Sequence, residues 1–130
     1  MIEDNLADTY REYLACLNRQ DWEHLSAFVD NRVSYNGQEI GLSHYTEMLI
    51  ANFADIPDLY FDSKLLISDP SHVAARLDFD CTPKGEFLGL PVNGRRVSFS
   101  ENVFYEFRQR KIVQVWSVID KMAIEVSLNE

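Results

Sequence analysis

The chain has 130 residues and a net charge of −9, from 21 acidic against 12 basic side chains. That length suits one domain able to bury its own core, and a composition of 46% hydrophobic and 12% aromatic residues excludes a disordered chain. The acidic balance, with no basic cluster interleaved with aromatics, argues against nucleic acid or an anionic membrane surface as partner.

Read along the chain, Leu6, Tyr10, Tyr13, Leu14 and Leu17 recur at helical spacing, with Asp4 or Asn5 as the N-cap. The helix breaks at Asn18-Arg19-Gln20, and Asp21 is placed to cap a second, short helix through Trp22, Leu25, Phe28 and Val29. Arg32 to Tyr35 reads as a brief strand ended by the turn signal Asn36-Gly37. A third helix is expected from Ser43 as N-cap, with Tyr45, Leu49 and Phe53 on one face and Pro57 marking its end. Everything beyond reads as sheet. Leu59, Phe61, Leu65 and Ile67 mark one strand, Asp69-Pro70-Ser71 a turn, and Val73, Ala75, Leu77 and Phe79 alternate with polar residues in the next. Thr82 to Pro91, with two glycines and two prolines, reads as a long connection. Val97 to Phe107 and Ile112 to Val118 form the last hairpin across Arg108-Gln109-Arg110-Lys111.

This order predicts a single α+β domain over residues 1–130, with three N-terminal helices packed on a curved antiparallel sheet. The roofed concave face is expected to hold a pocket for a small, largely apolar molecule. The longest apolar runs, such as Leu65-Leu66-Ile67, are far too short to span a bilayer. The start, Met1-Ile2-Glu3-Asp4, is acidic where a secretory signal is basic, so a cytoplasmic location is expected. Cys16 and Cys81 lie far apart in different elements and read as reduced, buried thiols, with no metal-type spacing. Neither a metal nor an organic cofactor is expected.

The last hairpin carries a register argument. An even loop centred on Gln109-Arg110 sets Phe107 opposite Ile112, Tyr105 opposite Gln114, Val103 opposite Trp116, Glu101 opposite Val118 and Phe99 opposite Asp120. That face holds the bulkier aromatics and is assigned to the interior; a bulge would invert part of it. The other face would leave Phe104, Val113, Val115 and Ile119 exposed, which points to cover by a second copy packed sheet to sheet, with partial cover by the C-terminal tail as the alternative. Two carboxylates, Glu101 and Asp120, then share the interior, where desolvation raises a carboxyl pKa toward the acid/base range. The competing reading makes each a solvated rim residue. Arg76 is an available cationic partner, although alternation with Leu77 and Phe79 turns Arg76 and Asp78 outward. Tyr13, Tyr35 and Trp22 are candidates to aim polar tips into the cavity, with Phe99, Gln114 and Trp116 as further walls. His24, His44 and His72 form no cluster, and no nucleophile–histidine pair stands out.

Two segments resemble a known family. Gly85-Glu86-Phe87-Leu88-Gly89-Leu90-Pro91-Val92-Asn93-Gly94-Arg95, then Lys111-Ile112-Val113-Gln114-Val115-Trp116 with Asp120 four residues on, resemble the motifs of the SnoaL-like polyketide cyclases. Asn18-Arg19-Gln20-Asp21 and Ile56-Pro57-Asp58-Leu59 are similar to further signals of that family. The resemblance implies the cone-shaped nuclear transport factor 2-like fold and a homodimer. It also implies an aspartate ending the last strand as general acid/base of an aldol ring closure, a role that falls to Asp120, with Trp116 as a wall. Departures are Cys81-Thr82-Pro83 before the glycine motif, Gln114-Val115 in place of an acid and a histidine, and Arg110 for a turn glycine. A weaker resemblance, to limonene epoxide hydrolases, would set Arg76, Asp78 and Asp120 to activate water. The expected function is therefore acid/base chemistry on a carbonyl compound, of cyclase or isomerase type. A non-catalytic binding module and epoxide hydrolysis remain as alternatives.

Overall fold

The computed structural model describes residues 5–129. The acidic start Met1-Ile2-Glu3-Asp4, and with it the alternative cap Asp4, lie outside the described residues. Helix α1 runs Leu6–Asn18, and Asn5 caps it by accepting the Asp8 N–H on Oδ1 at 2.9 Å. Its apolar stripe, Leu6, Tyr10, Tyr13, Leu14 and Leu17, is buried as the spacing requires. A 3₁₀ turn follows at Trp22–Ala27. Asp21 makes no side-chain cap there; its carboxylate instead meets the exposed His24 Nδ1 at 2.8 Å.

Strand β1 spans Val29–Tyr35, so it begins three residues before Arg32 and takes in Val29. Asn36 and Gly37, both at positive φ, turn it into the short β2, Gln38–Glu39. Helix α2 runs Gly41–Asp55 with Ile40 in the cap position, and Ser43 lies inside it rather than capping it. Tyr45, Leu49 and Phe53 form its buried face.

Strand β3 is Asp62–Ser68 and β4 is His72–Cys81. Between Ser63 and Leu65 the pairing with β4 slips by one residue, which sends Leu65 and Ile67 to the exposed outer face and leaves Leu66 against the core. The stretch expected as a plain connection contains a small hairpin, β5 (Glu86–Phe87) with β6 (Leu90–Pro91). The long pair β7 (Val97–Arg108) and β8 (Lys111–Ile119) closes on Gln109-Arg110, both at positive φ as a two-residue hairpin turn demands. Helix α3, Lys121–Leu128, ends the described chain where sheet was expected.

The main sheet has the order β2-β1-β8-β7-β4-β3. It is mixed rather than wholly antiparallel, because β1 runs parallel to β8. α1 packs on β3 and β4, and α2 on β1, so the two helices roof one face around a single hydrophobic cluster. α3 covers the start of β7, where β8 has ended: Ser127 Oγ takes the Ser98 N–H, and Leu128 O takes Arg95 Nη2. Cys16 and Cys81 are buried free thiols, and burial pushes Cys81 up to about 12. Among the described residues, no helix is long and apolar enough to cross a membrane.

Candidate active site

The position of the site follows from one extra residue. Phe107 pairs with Ile112 as the turn dictates, but the next pair is Glu106 with Gln114, so Val113 is left over as a bulge. From there on the expected register is inverted. Tyr105 faces Val115, Val103 faces Ser117 and Glu101 faces Ile119. Val115 is buried and Ser117 and Ile119 half-buried, whereas Trp116 and Val118 are exposed on the outer face. This corrects the placement of Gln114, Trp116 and Val118 inside the cone. Gln114 pairs with Glu106 across the strands, and Trp116 with Phe104.

Inside, a cavity of about 90 Å3 lies between the roof helices and the sheet. Its walls are largely aromatic: Tyr13, Tyr35, Tyr45, Phe61, Phe79, Phe87, Phe99 and Tyr105 all line it. Four residues expected at the site, Tyr13, Tyr35, Phe99 and Glu101, are therefore brought together. Local features position them. Asn18 clamps the backbone of Phe61 by accepting its N–H at 2.8 Å and donating to its carbonyl at 3.0 Å. Asp58 accepts both the N–H and the hydroxyl of Thr82, and Asp55 O takes the Lys84 N–H. These bonds moor the chain leading into the β5–β6 hairpin, whose Phe87 lies 5.6 Å from Phe99, centroid to centroid.

Glu101 projects from the middle of β7 into this aromatic box. The Ser117 hydroxyl donates to its Oε2, and Ser117 is itself fixed by its N–H to Asn36 Oδ1 at 2.8 Å. Burial holds the Glu101 carboxyl above its ordinary value of 4.5, against the opposing pull of the Ser117 bond. Burial also raises the Tyr35 phenol, against an opposing pull from the neighbouring Ser117 hydroxyl. Two further hydroxyl pairs sit close by: Tyr13 and Tyr45 at 2.6 Å, and Tyr10 donating to Tyr105 at 3.1 Å. Burial raises the pKa of all four phenols, which keeps them neutral. Ser117, Tyr45 and Tyr105 gave no motif in the sequence; only the bulge at Val113 turns Ser117 inward.

Other candidates lie elsewhere. Asp120 is half-buried one residue past Ile119, and its Oδ1 accepts the Ala123 N–H at 3.2 Å as the N-cap of α3. It does not line the cavity. Arg76 is on the outer face, donating to Asn102 Oδ1 at 3.0 Å, and Asp78 accepts from Ser100 there. Alternation along β4 thus turns both outward, and they do not meet Asp120 around a water site. Trp22 stacks edge-on against Phe53 in the roof instead of reaching the cavity. His24 and His72 are exposed, each beside an aspartate. No group of three or more metal-ligating side chains occurs among the described residues.

A helix-roofed, twisted sheet around an aromatic cavity lined by a half-buried carboxyl defines a cone of the nuclear transport factor 2-like class. Residues 7–128 match the model of the SnoaL-like polyketide cyclases, and the chain belongs to that family. A SnoaL-like polyketide cyclase from Agrobacterium tumefaciens is 56% identical, with a TM-score of 0.96 over 97% of this chain and 99% of its own. AclR of Streptomyces galilaeus, a candidate hydroxylase, is 25% identical with a TM-score of 0.75, covering 95% of both chains. IdmH of Streptomyces antibioticus, a candidate polyketide cyclase, shares the fold at 19% identity and a TM-score of 0.83, over 98% of this chain and 100% of its own. No curated protein matches the sequence.

Proposed function

We propose that the chain performs acid/base chemistry on a small carbonyl compound, of cyclase or isomerase type, with Glu101 as the group that moves the proton. The observation that carries this is a carboxyl lining an aromatic cavity, held by Ser117 and lifted above its ordinary range by burial. A base whose pKa is shifted toward the working pH combines an ionised fraction with a useful affinity for a carbon-bound proton. In the proposed step the ionised Glu101 takes a proton from the carbon next to the carbonyl. The C–H electron pair moves into the bond to the carbonyl carbon, and charge passes to the oxygen. Return of the proton to a different carbon gives an isomer. Attack of the enolate carbon on a second carbonyl closes a ring instead, and Glu101 then protonates the new alkoxide.

Asp120 is the competing candidate, by its place at the end of the last strand. It would reach a substrate only by leaving the α3 cap. Deuterium exchange at the carbon beside the carbonyl of cyclohexanone, in deuterated buffer, separates the two. Wild type and Asp120→Asn are expected to exchange and Glu101→Gln to be at least 100-fold slower. Loss in Asp120→Asn with retention in Glu101→Gln would reassign the base. No protein-dependent exchange in wild type would favour the binding-module reading.

The partner proposed for the outer face is a second copy of the chain. Ile67, Phe104 and Trp116, all exposed, stand in register with the half-buried Ala74 across β3, β4, β7 and β8 as one apolar row. A two-fold axis through such a row sets apolar surface against its own copy and keeps charge out of the centre, in a chain whose net charge of −9 otherwise repels itself.

A further inference from the structure

The cavity's hydroxyl groups do not balance. In the Tyr13–Tyr45 pair two phenols share one hydrogen bond, so whichever oxygen accepts keeps its own proton unused. In the second pair Tyr10 donates to Tyr105, which leaves the Tyr105 proton. Among the described residues no acceptor is in place for either spare proton, although Tyr13, Tyr45 and Tyr105 are each at most 4% exposed. A buried O–H without an acceptor costs about 1–3 kcal/mol, so each is a standing demand for an oxygen inside the cavity. Tyr13, Tyr45 and Tyr105 all line that space.

Charge narrows the occupant further. Among the described residues lining the cavity there is no Lys, Arg or His. An anionic ligand would therefore meet aromatic walls, neutral polar groups and Glu101 with no counter-charge, at a steep desolvation cost. Size narrows it again. The cavity, at about 90 Å3, is smaller than the roughly 150 Å3 apolar cavity that accepts benzene. A single ring is therefore the upper limit, and it enters only as the walls yield by roughly 60 Å3.

We propose that the Tyr13–Tyr45 and Tyr10–Tyr105 pairs form a two-donor seat for ligand oxygen beside Glu101, so that the pocket selects an uncharged, single-ring-sized oxo compound. This rests on the cavity being the reaction site and assigns what it holds. In the proton transfer, the same donors would accept the charge that builds on the carbonyl oxygen, because a neutral O–H aimed at an oxygen bonds an enolate more strongly than a ketone. The tyrosines are thus positioning and selecting groups, while Glu101 does the transfer.

The test uses three probes of one shape, cyclohexanone, cyclohexylammonium and cyclohexanecarboxylate, titrated into the full chain carrying tyrosine labelled with carbon-13 at the ring carbon that bears the hydroxyl. Cyclohexanone is expected to shift the Tyr105 signal and one or both of Tyr13 and Tyr45 saturably. Cyclohexanecarboxylate is expected to bind at least tenfold more weakly for want of a counter-charge, and cyclohexylammonium likewise because it brings no oxygen to accept the tyrosine protons. Tyr105→Phe and Tyr45→Phe should each weaken cyclohexanone about tenfold, the equivalent of one hydrogen bond. Two substitutions at separate pairs keep the test usable if one of them unfolds the chain. Equal cyclohexanone affinity in folded phenylalanine variants, tighter binding of either ion, or no cyclohexanone binding to wild type would each overturn the seat. Glu101→Gln separates the two claims. Tyrosine-dependent binding that survives there, with no exchange even in wild type, keeps the seat and removes the reaction. Exchange that persists without tyrosine dependence does the reverse.

Discussion

Glu101 and Asp120 show how two carboxylates on one hairpin acquire different physical roles. Glu101 is surrounded by aromatic rings with one hydroxyl donor, so burial dominates and its carboxyl titrates above 4.5. The native chain then holds that proton more tightly than the unfolded chain. Stability from this group is complete below pH 4.5 and declines as pH rises through the raised value. Glu101→Gln removes the decline. Urea unfolding should find it equal to wild type in acid and more stable at neutral pH, the gap opening as Glu101 ionises. Asp120 has the opposite character, a helix cap at the end of a strand. Asp120→Ala should cost about 1 kcal/mol of stability, and Asp120→Asn should restore most of it, because asparagine caps as well as aspartate. A large loss in both would mean that Asp120 does more than cap.

At the scale of elements, the two-residue turn and the bulge beside it decide what the pocket contains. Gln109 and Arg110 both adopt positive φ, a geometry that favours asparagine and glycine. Gln109→Asn should therefore raise the unfolding midpoint, by an amount equivalent to about 0.5 kcal/mol. Deleting Val113 removes the bulge but leaves Gln114 beside Glu106 and keeps every later pair, so Ser117 stays inward and Trp116 and Val118 stay outward. The expected result is a retained cooperative transition with Trp116 still exposed, followed by tryptophan emission. Loss of the transition, or a buried Trp116, would contradict the role given to Val113. These cases also mark what the sequence could express. Helix faces such as Tyr10-Tyr13-Leu17 and the β4 alternation from Val73 to Phe79 were readable, because burial imposes a period on them. Arg76 could be turned outward on the same ground. The extra residues at Lys64 and Val113 were not readable, since a bulge satisfies its backbone with no special side chain. The inward turn of Ser117, the outward turn of Trp116 and the loss of Gln114 from the pocket all follow from that one residue. Helix α3 is short and buries only Ile124, so no apolar period marks it in the sequence.

For the whole molecule, the sheet has two unlike faces. The inner one is sealed by α1 and α2 around the cavity, and the outer one presents Phe104, 57% exposed, in a row with Ile67 and Trp116. Sedimentation of the wild type should report a dimer and Phe104→Lys a monomer with an unchanged fold, since the substitution buries a charge only in the assembly. A wild-type monomer at micromolar concentration would remove that proposal and leave the cavity untouched. The central claim concerns the cavity itself, that its aromatic walls enclose a carboxyl and tune it for proton transfer. Titration of the Glu101 side-chain carbon by nuclear magnetic resonance tests this most directly. The account predicts a midpoint clearly above 4.5 that moves when cyclohexanone fills the cavity. A midpoint at or below 4.5, indifferent to cyclohexanone, would place Glu101 in water and contradict it.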